Sequence, residues 1–283
     1  MALTLFVDNL TVLDCSFLDD TDGVCGASWQ VNIELDGDLD EQSMLLDFGN
    51  VKKLIKRLID QSLDHTLLVP EQNPAVQITR TDQASVTIIV PAFGLKTSGP
   101  AQAYSLIPVE KLTEETIARH IERVLKAHLP ANLNDVRITL EEEQGKGSFY
   151  RYSHGLKKHD GNCQRIVHGH RSTLQIWRDG VRDSTTEECW SQRWKDIYLG
   201  TREDLTGQDE THFHFAYEAN QGAFSVSLPR DRCEIIDYDT TVEELTRYIA
   251  ETLSQEAPQH EWKVRGFEGI GKGAIVKIPQ ANH

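Results

Sequence analysis

Two stretches of the chain alternate apolar and polar residues as half-buried strands do: SWQVNIELDG (Ser28–Gly37) and RSTLQIWRDG (Arg171–Gly180). Two others place apolar residues at helical spacing. In TEETIARHIERVL (Thr113–Leu125) the stripe is Ile117, Ile121 and Val124; in TVEELTRYIAETL (Thr241–Leu253) it is Leu245, Ile249 and Leu253. Each of these begins with a threonine followed by acids, the pattern of a capped helix start whose charges suit the helix dipole. A short strand and a matching turn follow each helix, VRITLEEEQGKGSFY (Val136–Tyr150) and WKVRGFEGIGKGAIV (Trp262–Val276), which share Glu-x-x-Gly-Lys-Gly. The same order of elements therefore occurs twice, as strand–strand–helix–helix–strand–strand, with the join near Ser148 and no Pro/Gly-rich linker. The segment GKGSFYRYSHG is expected to end one unit and begin the next.

The two copies differ in length. From Gly37 to Thr113 is 76 positions, and from Gly180 to Thr241 it is 61. The longer first copy contains an amphipathic stretch, LLDFGNVKKLIKRLIDQSLDHTLLVP, that ends in Asp64-His65. The matching stretch of the second copy, CWSQRWKDIYLG, has no Asp-His after it. Conversely, Cys163, His168 and His170 lie in GNCQRIVHGHRSTLQIW of the second copy. Alignment of the strands sets Cys25-Gly26-Ala27 against His168-Gly169-His170 and Ser16 against His154.

Composition narrows the partners. With 44 acidic and 29 basic residues the net charge is −15, which argues against nucleic acid or an anionic membrane as a partner, since both demand a basic face. No apolar run approaches the roughly 20 residues of a membrane span, and the start, MALTLFVDNL, lacks the form of a signal peptide. Five scattered cysteines (Cys15, Cys25, Cys163, Cys189, Cys233) fit reduced thiols better than a disulfide frame. The expectation is a cytoplasmic protein with a small-molecule ligand.

His168 and His170 are two apart on a strand, so both project from one face, and His154 on the preceding strand is placed to add a third nitrogen. Three histidines with an open position is the arrangement of a catalytic zinc. Taken singly, each residue stays open between two readings. The His-x-His pair is a metal site or a polar strand face, as His212 and His214 in THFHF show. Cys163 is a thiolate base or an ordinary small residue, and Asp64-His65 is a proton relay or a helix-end pair. Glu142 and Glu268 are ligand anchors or solvated turn acids.

Together, the order His–Cys–His-Gly-His, Asp-Phe-helix, Leu-Asp-His, Thr-capped helix and Glu before the last strand resembles the 6-pyruvoyl- and 6-carboxytetrahydropterin synthases, twice over and across nearly the whole chain. The resemblance implies an α+β tunnelling fold (T-fold) in two tandem units, 1–147 and 148–283. Each would be an antiparallel four-stranded sheet with two helices on one face, and the units would assemble into β-barrels as a homo-oligomer. It further implies zinc on His154, His168 and His170, one metal per chain, and Cys163 as the base. Asp64 and His65 would form the relay. Glu268 would anchor a pterin, with Glu142 as its first-unit equivalent. The implied activity is lyase chemistry on dihydroneopterin triphosphate or a related dihydropterin, in a folate-like or deazapurine (queuosine) pathway. The alternative is a non-catalytic zinc- or pterin-binding scaffold. The spacing Cys-x4-His-Gly-His falls between the Cys-x3 form of the carboxy-forming type and the Cys-x5 form of the pyruvoyl-forming type.

Overall fold

A computed structural model of the chain describes residues 3–81, 84–130, 132–145 and 147–281; Lys146 of the first Gly-Lys-Gly turn lies outside the described residues. The first half runs β1 (Leu3–Asp19), β2 (Gly23–Gly37), α1 (Phe48–Ser62), β3 (Leu67–Pro70), β4 (Gln77–Thr81), β5 (Ser85–Val90), β6 (Leu95–Pro100), β7 (Tyr104–Ile107), α2 (Glu114–Lys126) and β8 (Leu133–Glu142). The second runs β9 (Ser148–His154), β10 (His168–Arg178), β11 (Val181–Arg182), α3 (Ser184–Arg193), β12 (Ile197–Thr201), β13 (Leu205–Gln208), β14 (His212–Ala219), β15 (Gly222–Pro229), β16 (Cys233–Ile236), α4 (Val242–Glu256), β17 (Trp262–Phe267) and β18 (Gly273–Ile278).

The repeat is real at the level of single residues. Thr113 caps α2, its hydroxyl accepting from the Thr116 amide, and Thr241 caps α4 in the same way from Glu244. The apolar stripes turn inward: Ile117, Ile121 and Leu125 of α2 pack with α1 against the first sheet, and Leu245, Ile249 and Leu253 of α4 pack with α3 against the second. In α2 the stripe closes on Leu125, and Val124 is only half-buried. The extra length of the first half lies in the segment before α1 and in α1 itself, 15 residues against 10 in α3.

The sheets are larger than the sequence pattern predicts. The first is five-stranded, in the order β7-β3-β1-β2-β8; the second is seven-stranded, β16-β12-β9-β10-β17-β18 with β11 pairing β10. Neither is purely antiparallel. The α1 crossover returns the chain so that β3 lies parallel to β1, and the α3 crossover lays β12 parallel to β9. Between its two helices each half also inserts a meander of three short strands. The two meanders join through β6 and β15 into one six-stranded sheet, β13-β14-β15-β6-β5-β4. Its inner face shares a core with both halves, including Leu67, Val69, Ile166, Val167, Tyr198 and Phe215. Nor does β9 serve both units: it pairs with β10 and β12, while β8 pairs with β2.

What positions the site is the crossing of β1–β2 over β9–β10. Ser16 pairs with Gly26 and Leu67, and Ser153 pairs with Gly169 and Tyr198, so these are equivalent positions of the two halves. The equivalents meet. Ser16 and Ser153 share a 2.6 Å hydrogen bond, and a Cβ at Gly26 would lie 2.2 Å from the Tyr152 carbonyl and 2.5 Å from that of His170. This register moves the sequence alignment by one place. Phe17, not Ser16, stands opposite Cys25 as His154 stands opposite His168, so the counterparts of the three histidines are Phe17, Cys25 and Ala27.

The glycine contact yields a first expectation. Gly26→Ala forces backbone from backbone and should lower unfolding stability by about 3 kcal/mol, whereas Gly207→Ala, whose Cβ would meet only the His214 ring at 3.7 Å, should stay within about 0.5 kcal/mol. Urea unfolding of both variants checks this, and equal midpoints would show that the halves do not press together at Gly26.

Candidate functional site

His154 ends β9, His168 and His170 begin β10, and all three are fully buried. Strand pairing sets His168 directly across from His154 and His170 across from Tyr152. The rings converge, with centroids 4.3 Å apart for His154–His168, 5.4 Å for His154–His170 and 5.6 Å for His168–His170. His154 Nδ1 lies 3.0 Å from the Thr240 carbonyl, and His168 Nδ1 lies 2.8 Å from that of Arg165. A carbonyl only accepts, so each Nδ1 carries the proton and each Nε2 the lone pair. Burial, then neighbouring imidazoles, holds the pKa of both rings well below the ordinary value, so they stay neutral. The Nε2 atoms of His154, His168 and His170 are buried and have no hydrogen-bond partner. Three buried imidazole nitrogens without partners are costly unless a cation takes them up, and they fit a divalent metal.

A fourth imidazole reaches the same place from the other half. His65 follows α1, and its ring lies 5.2 Å from His168 and 5.9 Å from His170. Ligand nitrogens of His65, His168 and His170 come within 4.8 Å of one another, so distance alone admits His65 as a ligand in place of His154. Chemistry separates them. His65 Nδ1 is 2.6 Å from Asp64 Oδ2, and its ring also hydrogen-bonds Cys163. Burial lowers its pKa, but Asp64 and Cys163 more than offset this and raise it to about 10. His65 is held by Asp64, whereas the Nε2 atoms of His154, His168 and His170 are all without a partner.

Local backbone aims the pair. His65 adopts a left-handed φ of 54°, its amide donates to the Asp14 carbonyl at 2.7 Å, and Asp64 Oδ1 accepts from the Asp14 amide at 3.0 Å. From the second half, the buried Arg165 donates to the Asp64 and His65 carbonyls at 3.0 and 3.5 Å. The two halves thus bring the Asp-His pair, the cysteine and the three histidines together within a single chain.

The two glutamates part company. Glu268, in the turn after β17, lies 3.2 Å from Lys272, whose ammonium also approaches Asp14 at 4.0 Å. Burial lowers the Lys272 pKa, and Glu268, Asp14 and Cys163 together raise it further. Glu268 is therefore on the side of the histidines. Glu142 is not: it ion-pairs with Arg151 at 2.5 Å and Arg171 at 2.9 Å. The position equivalent to His65 is Asp196, which keeps the left-handed backbone (φ 49°) but is a buried acid hydrogen-bonded to Cys25. Burial raises the pKa of both groups. Among the described residues this second half-site gathers no set of metal-ligating side chains. His212 and His214 stack on β14 and share Asp209, apart from the site.

Sequence reasoning missed Asp14, Ser28, Thr240, Arg165 and Lys272, which contact the candidate groups or one another. Only Lys272 carried a signal, through the repeated Glu-x-x-Gly-Lys-Gly.

The 6-pyruvoyl tetrahydropterin synthase family model matches the chain at residues 15–151 and again at 145–277. A putative 6-carboxy-5,6,7,8-tetrahydropterin synthase of Methanocaldococcus jannaschii is 26% identical over 131 residues, 44% of this chain and 78% of that protein. The 6-carboxy-5,6,7,8-tetrahydropterin synthase of Haemophilus influenzae is 25% identical over 129 residues, 43% of this chain and 81% of that protein. Among solved structures, the 6-pyruvoyltetrahydropterin synthase of Plasmodium vivax is similar at 19% identity and a TM-score of 0.43, covering 52% of this chain and 94% of that one. The two matched segments together account for most of the chain, and it belongs to the 6-pyruvoyl tetrahydropterin synthase family, with the family domain present twice.

Proposed function

We propose that the chain is a zinc-dependent pterin synthase, a lyase of the 6-pyruvoyl- or 6-carboxytetrahydropterin type acting on dihydroneopterin triphosphate or a related dihydropterin. One observation carries the reading: three buried, unpartnered imidazole nitrogens meet the His65–Cys163 pair inside one chain. Residues 148–283 supply the zinc ligands His154, His168 and His170 with Cys163 and Glu268; residues 1–147 supply Asp64 and His65. When bound, zinc supplies a Lewis acid that acidifies the C–H bonds beside the side-chain hydroxyls it holds.

The chain's own groups do the rest. Cys163 Sγ takes the proton from carbon, and His65, oriented through Nδ1 by Asp64, holds and returns a proton at Nε2. Glu268 accepts paired N–H bonds from the guanidine-like edge of the pterin, which are strong because one partner is charged. Triphosphate leaves to give the pyruvoyl product, whereas loss of both triphosphate and acetaldehyde with uptake of one water gives the carboxy product. Glu142, the first-unit counterpart of the anchor, is occupied by its two arginines and is not free for this role. We further propose a homo-oligomer. β8 and β18 end their sheets as outer strands, such edges invite pairing with further copies, and closing them builds β-barrels.

Metal analysis of purified protein should find about one zinc per chain, lost in His168→Ala and kept in His212→Ala. Two per chain, or none after zinc supplementation, would overturn the assignment.

His65→Ala and Cys163→Ala should each lower turnover of dihydroneopterin triphosphate by about 10²–10⁴-fold while keeping zinc. Because both groups meet within one chain, mixing the two inactive variants should restore nothing. Wild-type rates in both variants, or a zinc-loaded wild type that leaves the substrate untouched, would leave the non-catalytic scaffold standing. Mass analysis of the product separates pyruvoyl from carboxy chemistry.

A further inference from the structure

Asp14, in the middle of β1, is a buried carboxylate to which the chemistry above gives no part. We propose that Asp14 is the positioning residue that fixes His170 as a metal ligand and locks that ligand to the Asp64–His65 pair of its own half. The inference rests on the metal site proposed above.

Four contacts carry it. Asp14 Oδ1 lies 3.3 Å from His170 Nδ1, within ion-pair distance, and this buried nitrogen makes no aligned hydrogen bond with Asp14 or with any other group. Ser28 Oγ donates to the same oxygen and holds the carboxylate in place. The Asp14 main chain grips the relay pair at both ends, its amide donating to Asp64 Oδ1 and its carbonyl accepting from the His65 amide. One residue thus faces the ligand with its side chain and the relay with its backbone.

The three ligands are not held alike. His154 and His168 turn Nδ1 to neutral carbonyls, whereas His170 turns it to an ion. A carboxylate on Nδ1–H fixes the tautomer with the Nε2 lone pair inward, and it raises the basicity of that lone pair more than a carbonyl does. The duplication supplies an internal comparison. The strand register makes Arg151 the counterpart of Asp14. Arg151 pairs with Glu142 in the half-site where Phe17, Cys25 and Ala27 replace the histidines. The carboxylate stands where the imidazoles stand, and a cation stands where they are absent.

The test compares wild type, Asp14→Asn, Asp14→Glu and Ser28→Ala as full chains. Zinc affinity is measured by competition with a chelating dye, and Co²⁺ is followed through its absorption in the visible. Asp14→Asn should bind both metals about 10–100-fold more weakly and alter the Co²⁺ spectrum, while Asp14→Glu recovers part of the loss. Unfolding midpoints with and without metal separate positioning from packing. A packing role lowers the metal-free midpoint and leaves the metal-induced rise intact; a positioning role shrinks the rise. Affinity of Asp14→Asn within about twofold of wild type, with the full metal-induced rise, overturns the proposal. Should Asp14→Asn fail to fold, Ser28→Ala decides. It keeps the carboxylate but releases it, and a weakening of about three- to tenfold is expected, with none overturning the idea. If wild type itself takes neither metal, the metal-site reading fails first; if wild type binds and the variants bind equally, only Asp14 is wrongly assigned.

Discussion

The structure depends on a contact between two backbones. Where β1–β2 crosses β9–β10, glycines on both sides remove the side chains that would hold the strands apart, and Ser16 and Ser153 meet across the gap. Close approach of this kind is what glycine permits and any Cβ prevents. It sets the depth at which the halves dock, and with it the distance from Asp14 and His65 in one half to His168 and His170 in the other. Side chains alternate along a strand, so a shift of one residue at the crossing would turn the histidines away from the first half altogether.

The crossing relates two equivalent pockets, yet only one gathers imidazoles. In the other, the serine and acid that face the histidines are exchanged for arginines: Ser28 corresponds to Arg171, and Asp14 to Arg151. Both arginines close on Glu142. A carboxylate matched by two guanidinium groups has little left to offer a ligand edge, while Glu268, matched by one partly exposed lysine, keeps accepting capacity. Desolvation acts on the remaining polar groups as well, raising the pKa of both Cys25 and Asp196. The asymmetry that sequence shows as missing histidines is, in the folded chain, a change of electrostatic sign.

Much of this was legible before folding was considered. The Thr-capped helices α2 and α4, the alternating strands β2 and β10 and the duplication itself follow from local patterns, which is where sequence speaks most clearly. A resemblance of spacing also singled out the three histidines, Cys163 and Asp64-His65, and the fold places the His65 ring beside those of His168 and His170. The parallel pairing of β3 and β12 and the shared sheet were not legible. Segments such as QITRT and LKTSGP are short and flanked by turn residues, and nothing local says that β6 will pair with β15 from the other half. Asp14 was hidden for the same reason. Its partner His170 lies far along the chain, and an acid within LDCS looks like any strand-face polar residue until the crossing is known. The alignment error at Ser16 arose because matching letters ignores strand pairing, which fixes the counterpart of His154 as Phe17.

Division of the site has a thermodynamic consequence under the proposed reading. All three ligands belong to the second half, while the groups that orient and serve them, Asp14 and Asp64-His65, belong to the first. A metal that prefers the oriented His170 therefore prefers the docked arrangement of the halves, and its binding energy adds to the crossing contact. The coupling also runs the other way: docking holds the imidazole set in place and lowers the cost of binding. Were the two halves separate chains, the same linkage would depend on concentration. Fusion makes it intramolecular, so the paired glycines that let the halves close also set how tightly the metal is held.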